Sequence, residues 1–243
     1  MSLPSPFAAF LSQHARLLEI TTALPEAALV VERFSAREAV NELFRFEIDC
    51  ISTSAGLDLL ALSGEEITLR LLQADGSKRA WHGYVTEALQ LGADGGFARY
   101  RLIMEPWLAL LRERRDSYVF QDKTVLEILG QLFADHPQAN WAQGVTQELR
   151  RYSLSIQYRE SDLDYCRRLL AEEGLSFRFS HDQSAVAGDE ATHARHRLEI
   201  FDRETELPDL AQPVLRFHRN NATEASDTVQ TWQEIRNALP NAV

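Results

Sequence analysis

Acidic side chains bunch late in this chain: Glu160, Asp162, Asp164, Glu172 and Glu173 all fall within the run RESDLDYCRRLLAEEGLSFRF. Paired carboxylates are the usual equipment of acid–base hydrolysis. Their spacing argues against that use, because on a helix Asp162 and Asp164 stand two positions apart and project in different directions. Helix capping explains the first group. Ser161 is a natural N-cap, and Glu160, Asp162 and Asp164 bring negative charge to the helix end that favours it. Glu172 and Glu173 fall in the last turn, where the helix dipole opposes them. A basic neighbour is therefore expected there, from this chain or from a partner.

His181, His193 and His196, near Asp182 and Asp189, are of residue types that bind metal. The stretch Ser180–His193 is polar and rich in small residues, so it reads as a mobile surface loop, a poor scaffold for fixed coordination. Cys166 lies on an apolar helical stripe with nothing to lower its pKa, which argues against a Cys–His nucleophile. Cys50 also sits at an apolar slot, and both cysteines read as small buried hydrophobes of a reduced protein. Gly92–Gly96 (GADGG) joins two strand patterns and reads as a hairpin turn more readily than a phosphate cradle. Trp81-His82-Gly83-Tyr84 has the side chains of a ligand pocket, but equally those of an aromatic strand entering a core. No G-x-S-x-G, P-loop or G-x-G-x-x-G occurs. This reading assigns no catalytic, cofactor-binding or metal-ligating residue, and it expects a protein that is not an enzyme.

The elements that hold these residues can be read from periodicity. Leu18, Ile20, Thr22 and Leu24 alternate with polar partners, and Leu29–Phe34 follows a Pro25–Glu26 turn. In Leu43–Cys50, Phe44, Phe46, Ile48 and Cys50 face one way and Arg45, Glu47 and Asp49 the other. Ile67, Leu69 and Leu71 run into the hairpin dipeptide Asp75–Gly76. Trp81–Leu91 and Tyr100–Met104 complete a series of closely spaced strands, which suggests an antiparallel barrel or sandwich. After Pro106 the pattern turns helical. Trp107–Arg112 reads as a short helical turn, and Thr124–Glu127 is a capping box opening a stripe of Val125, Leu126, Ile128, Leu129, Leu132 and Phe133. The connection 140–150 has no clear pattern. Ile156 and Tyr158 then alternate as the buried side of a half-buried strand. Leu163, Cys166, Leu169 and Leu170 share a helical face that stops at Gly174, and Leu175, Phe177 and Phe179 resume a period of two. Arg197–Phe201, Val214–Phe217 and Thr228–Trp232 are further candidate strands, and the tail from Asn237 reads as frayed.

The chain has 243 residues, 45% of them hydrophobic, enough for a sizeable core. A net charge of −11 argues against a nucleic-acid partner or an anionic membrane surface. The basic runs Arg112–Arg115, Arg150–Arg151 and Arg216–Arg219 read as solvated or inter-subunit charge. The amino terminus lacks the basic region of a signal peptide, and no apolar run reaches membrane-spanning length. The expected place of synthesis is the cytoplasm.

Several segments, in this order and spacing, together resemble one family. They are NELFRFEIDCIS at Asn41–Ser52, WHGYV at Trp81–Val85, YRLIMEPWLALL at Tyr100–Leu111 and FQDKTVLEIL at Phe120–Leu129, followed by QYRESDLDYCRRLLAEEGLSFRF at Gln157–Phe179 and VLRFHRNNATEASDTVQTW at Val214–Trp232. The chain is similar to the amino-terminal region of VgrG, the type VI secretion spike, and through it to late control protein D and the baseplate hubs of contractile-tail phages. The resemblance implies an α+β fold: an antiparallel β-barrel of the phage-hub type with an inserted helical α/β section, hub portion only. It places the first barrel at 1–110, completed by 211–236, and the α/β section at 111–210 with helices near 124–134 and 162–173. The frayed tail is 237–243. It further implies a homotrimeric ring that docks on the hexameric Hcp tube among baseplate components. Export would be through the type VI machine without a signal peptide, and this segment would carry no membrane insertion and no cofactor. The oligonucleotide-binding-type barrel, β-helical spike and tip that follow in full-length members are not expected within these residues. Two other readings remain at this stage: a monomeric small-ligand-binding β-barrel, and a hydrolase using Glu160, Asp164 or the histidine cluster.

Overall fold

The computed structural model describes residues 17–183, 193–209, 212, 214–217, 228–229 and 231–234. The chain divides into two units, Met1–Thr205 and Glu206–Val243. The first opens with β1 (Leu18–Thr21), β2 (Val30–Arg37), β3 (Arg45–Ser52), β4 (Glu66–Leu72), β5 (Lys78–Asp94) and β6 (Phe97–Glu105). These form a single antiparallel sheet in the order β1-β4-β5-β6-β3-β2, curled into a half-barrel.

Strict alternation sets the two faces of that sheet. Phe46, Ile48 and Cys50 on β3 stand opposite Met104, Leu102 and Tyr100 on β6, and all are buried. Leu62, Ile67, Leu69, Trp81 and Val85 join them, so the concave side is filled with side chains. The β5–β6 turn is the two-residue loop Gly95–Gly96, closed by the pair Asp94–Phe97, with φ of +62° and +85°. Only a pair of residues that both accept positive φ makes this turn without strain. Gly83 serves a different need, because a Cβ there would sit 2.5 Å from Met104 Cγ and 2.7 Å from the Glu105 carbonyl oxygen. The β5 backbone lies too close to β6 at that point for any larger residue.

A 3-10 turn at Trp107–Arg112 leads into the α/β section. It contains β7 (Arg115–Phe120), α1 (Val125–Ala134), β8 (Trp141–Gln143), β9 (Ser155–Ser161), α2 (Asp162–Glu172), β10 (Ser176–His181) and β11 (His196–Phe201). A three-stranded sheet in the order β10-β11-β8 supports both helices, while β7 and β9 make a separate two-stranded ribbon. Val125, Ile128, Leu129, Leu132 and Phe133 of α1 pack with Leu163, Cys166, Leu169 and Leu170 of α2, over Trp107, Leu198 and Ile200. The capping box forms as its sequence requires, with Thr124 Oγ1 accepting from Glu127 N–H and Glu127 Oε2 accepting from Thr124 N–H. Helix α2 ends in a Schellman motif. Gly174 has φ +67°, Leu175 N–H donates to Leu170 C=O, and Gly174 N–H donates to Ala171 C=O.

Three expectations change. Ile156 and Tyr158 are not the buried side of their strand: they are 45% and 67% exposed, while Ser155 and Gln157 point inward. The polar pair is satisfied inside, Ser155 Oγ by the Tyr165 hydroxyl at 2.9 Å and Gln157 Nε2 by Asp162 Oδ1 at 2.8 Å. Ser180 and His181 belong to β10 and not to a loop. The unpatterned 140–150 stretch contributes β8, which pairs in parallel with β11. The rest of the expected Ser180–His193 loop, from 184 to 192, lies outside the described residues, as does the tail from Asn237. In the second unit, β12 (Arg216–Phe217) pairs in parallel with β13 (Thr228–Val229).

Candidate interaction surface and the histidine seam

The convex face of the half-barrel is tiled with alternating charge. Asp49 accepts from Arg33 Nε at 2.8 Å on one side and from Arg101 Nε at 2.7 Å on the other, linking β2, β3 and β6. Arg101 also lies 3.6 Å from Glu47, and Arg45 the same distance from Glu47. Glu105 receives Arg112 at 3.0 Å and the Thr86 hydroxyl at 2.6 Å. The Arg101 guanidinium holds the Asp49 carboxyl below its usual range, against the opposing effect of burial. Strand register places Asp49 directly opposite Arg33 and Arg101, so the centre of this ladder follows from the alternation in β2, β3 and β6.

Where the half-barrel meets the α/β section, four histidines converge. His82 Nδ1 and His196 Nδ1 lie 2.8 Å apart, and both rings are buried. Trp107 N–H donates to His196 Nε2 at 3.0 Å, His82 N–H donates to His181 Nδ1 at 3.1 Å, and His193 Nδ1 lies 3.2 Å from the Thr68 hydroxyl. With its Nε2 occupied as an acceptor, neutral His196 carries its proton on Nδ1 and donates it to His82. The His82 proton then sits on Nε2, which is 3.3 Å from Glu66. Burial, with His193, His181 and Arg195 nearby, pushes the His82 pKa down to about 3. Burial also lowers His196 well below the ordinary value, and His193 in the same direction. The Gln183 side chain bonds both the N–H and C=O of Ala80 along the same seam, while Asn41 Oδ1 accepts from Phe177 N–H and the Asn41 backbone N–H donates to Phe177 C=O. Phe44 packs edge-on against Phe179 and His196.

The structure brings His181, His193 and His196, close in sequence, together in space, and His82, 114 positions from His196 and part of the aromatic stretch Trp81–Tyr84, joins them. Both ring nitrogens of His196, Nδ1 of His82 and Nδ1 of His181 are taken up by one another or by backbone donors, and His181 Nε2 and His193 Nδ1 face the Glu38 carboxylate and the Thr68 hydroxyl. Among the described residues no group of three or more histidine, cysteine or acidic side chains is placed to hold a metal ion. Asp189 lies outside the described residues, and Asp182 bonds through its backbone to Arg195.

The carboxylates near α2 are equally engaged. Glu160 is held by Arg168 at 2.6 Å, and Asp164 accepts the Ser161 hydroxyl at 2.7 Å. Asp162 is fully buried, 2.7 Å from Arg114 Nε and 3.3 Å from His136 Nε2. The unfavourable last turn finds its basic neighbours within the chain. Glu173 meets Arg150 and the Tyr152 hydroxyl, each at 2.6 Å, and Glu172 meets Arg168 at 3.0 Å. Burial pushes both the Cys50 and Cys166 thiols up to about 12, so each is an inert core residue. Among the described residues the concave side of the sheet is occupied by packed apolar side chains. The cleft beside it, about 720 Å³, is lined by charged and polar groups such as Glu38, Gln73, Lys78, Arg79 and Gln183.

A curled antiparallel sheet with a packed interior, an ionic outer face and an attached α/β layer defines a β-hub architecture. The family of phage tail baseplate hub (GPD) proteins matches residues 37–243, and this chain belongs to it. The type VI secretion system spike proteins VgrG1c and VgrG1b of Pseudomonas aeruginosa are each 33% identical to it, over 73% and 72% of the chain respectively. The chain spans about a quarter of those relatives, 24% of each. Among solved structures, an Escherichia coli component of the type VI secretion system, described as similar to the T4 tail proteins gp27 and gp5, superposes with a TM-score of 0.67. The sequence identity is 23%, and the match covers 76% of this chain and 49% of that one.

Proposed function

We propose that this chain is the hub portion of a type VI secretion spike and that it works mechanically. The observation that carries the reading is membership of the baseplate hub family over residues 37–243. In this reading three copies assemble into a hollow ring of pseudo-sixfold character, which docks on the hexameric Hcp-type tube and passes on the push of a contracting sheath. Closed rings built from repeated barrels match a threefold object to a sixfold one through side-chain surfaces and strand edges. The stretch 211–236 completes the barrel, the section 111–210 is an insertion, and no step of the work is catalytic. The protein is made in the cytoplasm and leaves through the machine itself. Among the described residues no helix is long and apolar enough to cross a membrane.

The test is solution mass by light scattering across a concentration series, alone and with purified tube hexamer. The expected result is a mass of three copies, or a defined complex with the hexamer. A chain that stays monomeric and never engages the tube protein overturns the reading.

A further inference from the structure

The outer face of the β7–β9 ribbon is apolar and uncovered. Val119 is 51% exposed, Ile156 45% and Tyr158 67%, and Val119 stands directly opposite Ile156. Leu154, just ahead of β9 and in step with Ile156 and Tyr158, is exposed as well. The inner face carries Phe120, Ser155 and Gln157, all buried, so the ribbon is fixed in place without using this outer stripe. Single exposed hydrophobics need no explanation, but a contiguous stripe on a two-stranded ribbon is the mark of an interaction site.

The two edges of the ribbon differ. The β9 edge is closed, because Arg168 Nη2 of α2 donates to the Ile156 carbonyl at 3.0 Å. That carbonyl therefore points away from β7, which makes Val119–Ile156 a non-hydrogen-bonded pair and turns the N–H and C=O of Val119 toward the other edge. Among the described residues β7 pairs with no strand except β9, so this edge is open. An open edge beside apolar side chains is a template for an added strand.

Charge defines the guest. Of the arginines around the ribbon, Arg112, Arg114, Arg150, Arg151 and Arg168 all meet carboxylates. Among the described residues Arg115 and Arg159 meet none. There Arg115 Nη1 reaches the Arg159 carbonyl, and the Arg159 guanidinium lies 5.3 Å from the Tyr158 ring centroid. Arg159 is the extra residue of a bulge opposite Asp116 and Ser117, held at φ +53°. A left-handed non-glycine residue is a strained choice at a bulge, and such bulges re-aim side chains at functional edges.

We infer that the β7 edge and its apolar face bind an extended segment of a partner protein, added as a strand, whose side chains on the Val119 face are apolar and give way at the bulge end of that same face to carboxylates that meet Arg115 and Arg159. This site is separate from the barrel surface invoked for tube docking and does not depend on it.

The probe is a fluorescent ten-residue peptide with serine at every second position and, between the serines, three valines followed by two glutamates, titrated against the whole chain by anisotropy. Its counterpart with lysine for glutamate and an N-methylated version serve as controls. Saturable binding is expected for the glutamate peptide, with at least about tenfold weaker binding of both controls. The double variants Arg115→Glu/Arg159→Glu and Ile156→Ser/Tyr158→Ser should each lose about tenfold or more with the circular dichroism spectrum unchanged. Absence of saturable binding, equal binding of the glutamate and lysine peptides, or full binding by either variant overturns the inference. Self-association of the chain that these same substitutions abolish also overturns it, assigning the face to a second copy.

Discussion

The convex face of the barrel sheet and the outer face of the β7–β9 ribbon are both solvent-facing strand surfaces, yet they are built in opposite ways. On the barrel, Arg33, Asp49, Arg101, Glu47 and Arg45 neutralise one another across strands. On the ribbon, Val119, Ile156 and Tyr158 face solvent while Ser155 and Gln157 are turned inward. The barrel face is complete in itself and suits a surface that docks and releases. The ribbon face leaves apolar area and two arginines unmatched, and it suits a surface that is covered in use.

The strongest way to break this comparison is to remove what holds the ribbon inside out. Asp162 anchors Gln157 and meets Arg114 with no exposure of its own. Asp162→Ala leaves the buried Nε of Arg114 and the side-chain amide of Gln157 without their carboxylate, and the expected loss is about 2–4 kcal/mol of unfolding free energy by urea denaturation. A loss below about 1 kcal/mol would mean that the polar inner face does not hold the ribbon.

That inversion also marks what the sequence did and did not reveal. Alternation in Ser155–Ser161 correctly announced a strand, but alternation defines two faces without saying which is inside. The choice was made by Tyr165 and Asp162, which supply hydrogen bonds to Ser155 and Gln157. Strand β3, the Thr124 capping box, the α2 stripe and the hairpin turn expected at Gly92–Gly96, which narrows to Gly95–Gly96 because β5 runs on to Asp94, are readable because each is fixed by residues a few positions apart. His82 is not, because its partners come from β10 and β11, and β8 is not, because its pairing with β11 is remote and only three residues long. The acidic Glu172–Glu173 turn was correctly read as needing a basic neighbour, which the chain itself supplies through Arg150 and Arg168.

Next in size is an acid response centred on the seam. His82, His193 and His196 are held below their ordinary pKa in the folded protein, while unfolded histidine titrates near 6.5. The unfolded chain therefore binds more protons below that value, and the seam's contribution, complete above it, is lost as the pH falls from about 6.5 toward 3. Glu66 beside His82 and Glu38 beside His181 oppose this loss without removing it. Between pH 6.5 and 4.5 the expected slope is up to about 1.4 kcal/mol per pH unit for each buried histidine. Carboxylates such as Asp49, whose pKa is lowered, add their own loss only nearer pH 4 and below. Thermal melts across that upper window should show Tm falling with pH, and His82→Gln should flatten the slope. A flat profile in the parent protein would mean that the seam does not hold its histidines neutral.

The smallest effect sharpens the contrast from the ribbon side. Ile156→Ser with Tyr158→Ser removes exposed apolar surface only, so the unfolding free energy should change by no more than about 0.5 kcal/mol per site. A larger loss would show that this face is part of the fold and is not held for a partner.

The central claim, a hub whose barrel meets the tube, is tested most directly by hydrogen–deuterium exchange of the chain with and without purified tube hexamer. The hub reading predicts slowed exchange in the barrel strands between Leu18 and Glu105 and no change at Arg115–Phe120 or Ser155–Ser161. Unchanged exchange throughout the barrel, or protection confined to the ribbon, would contradict it.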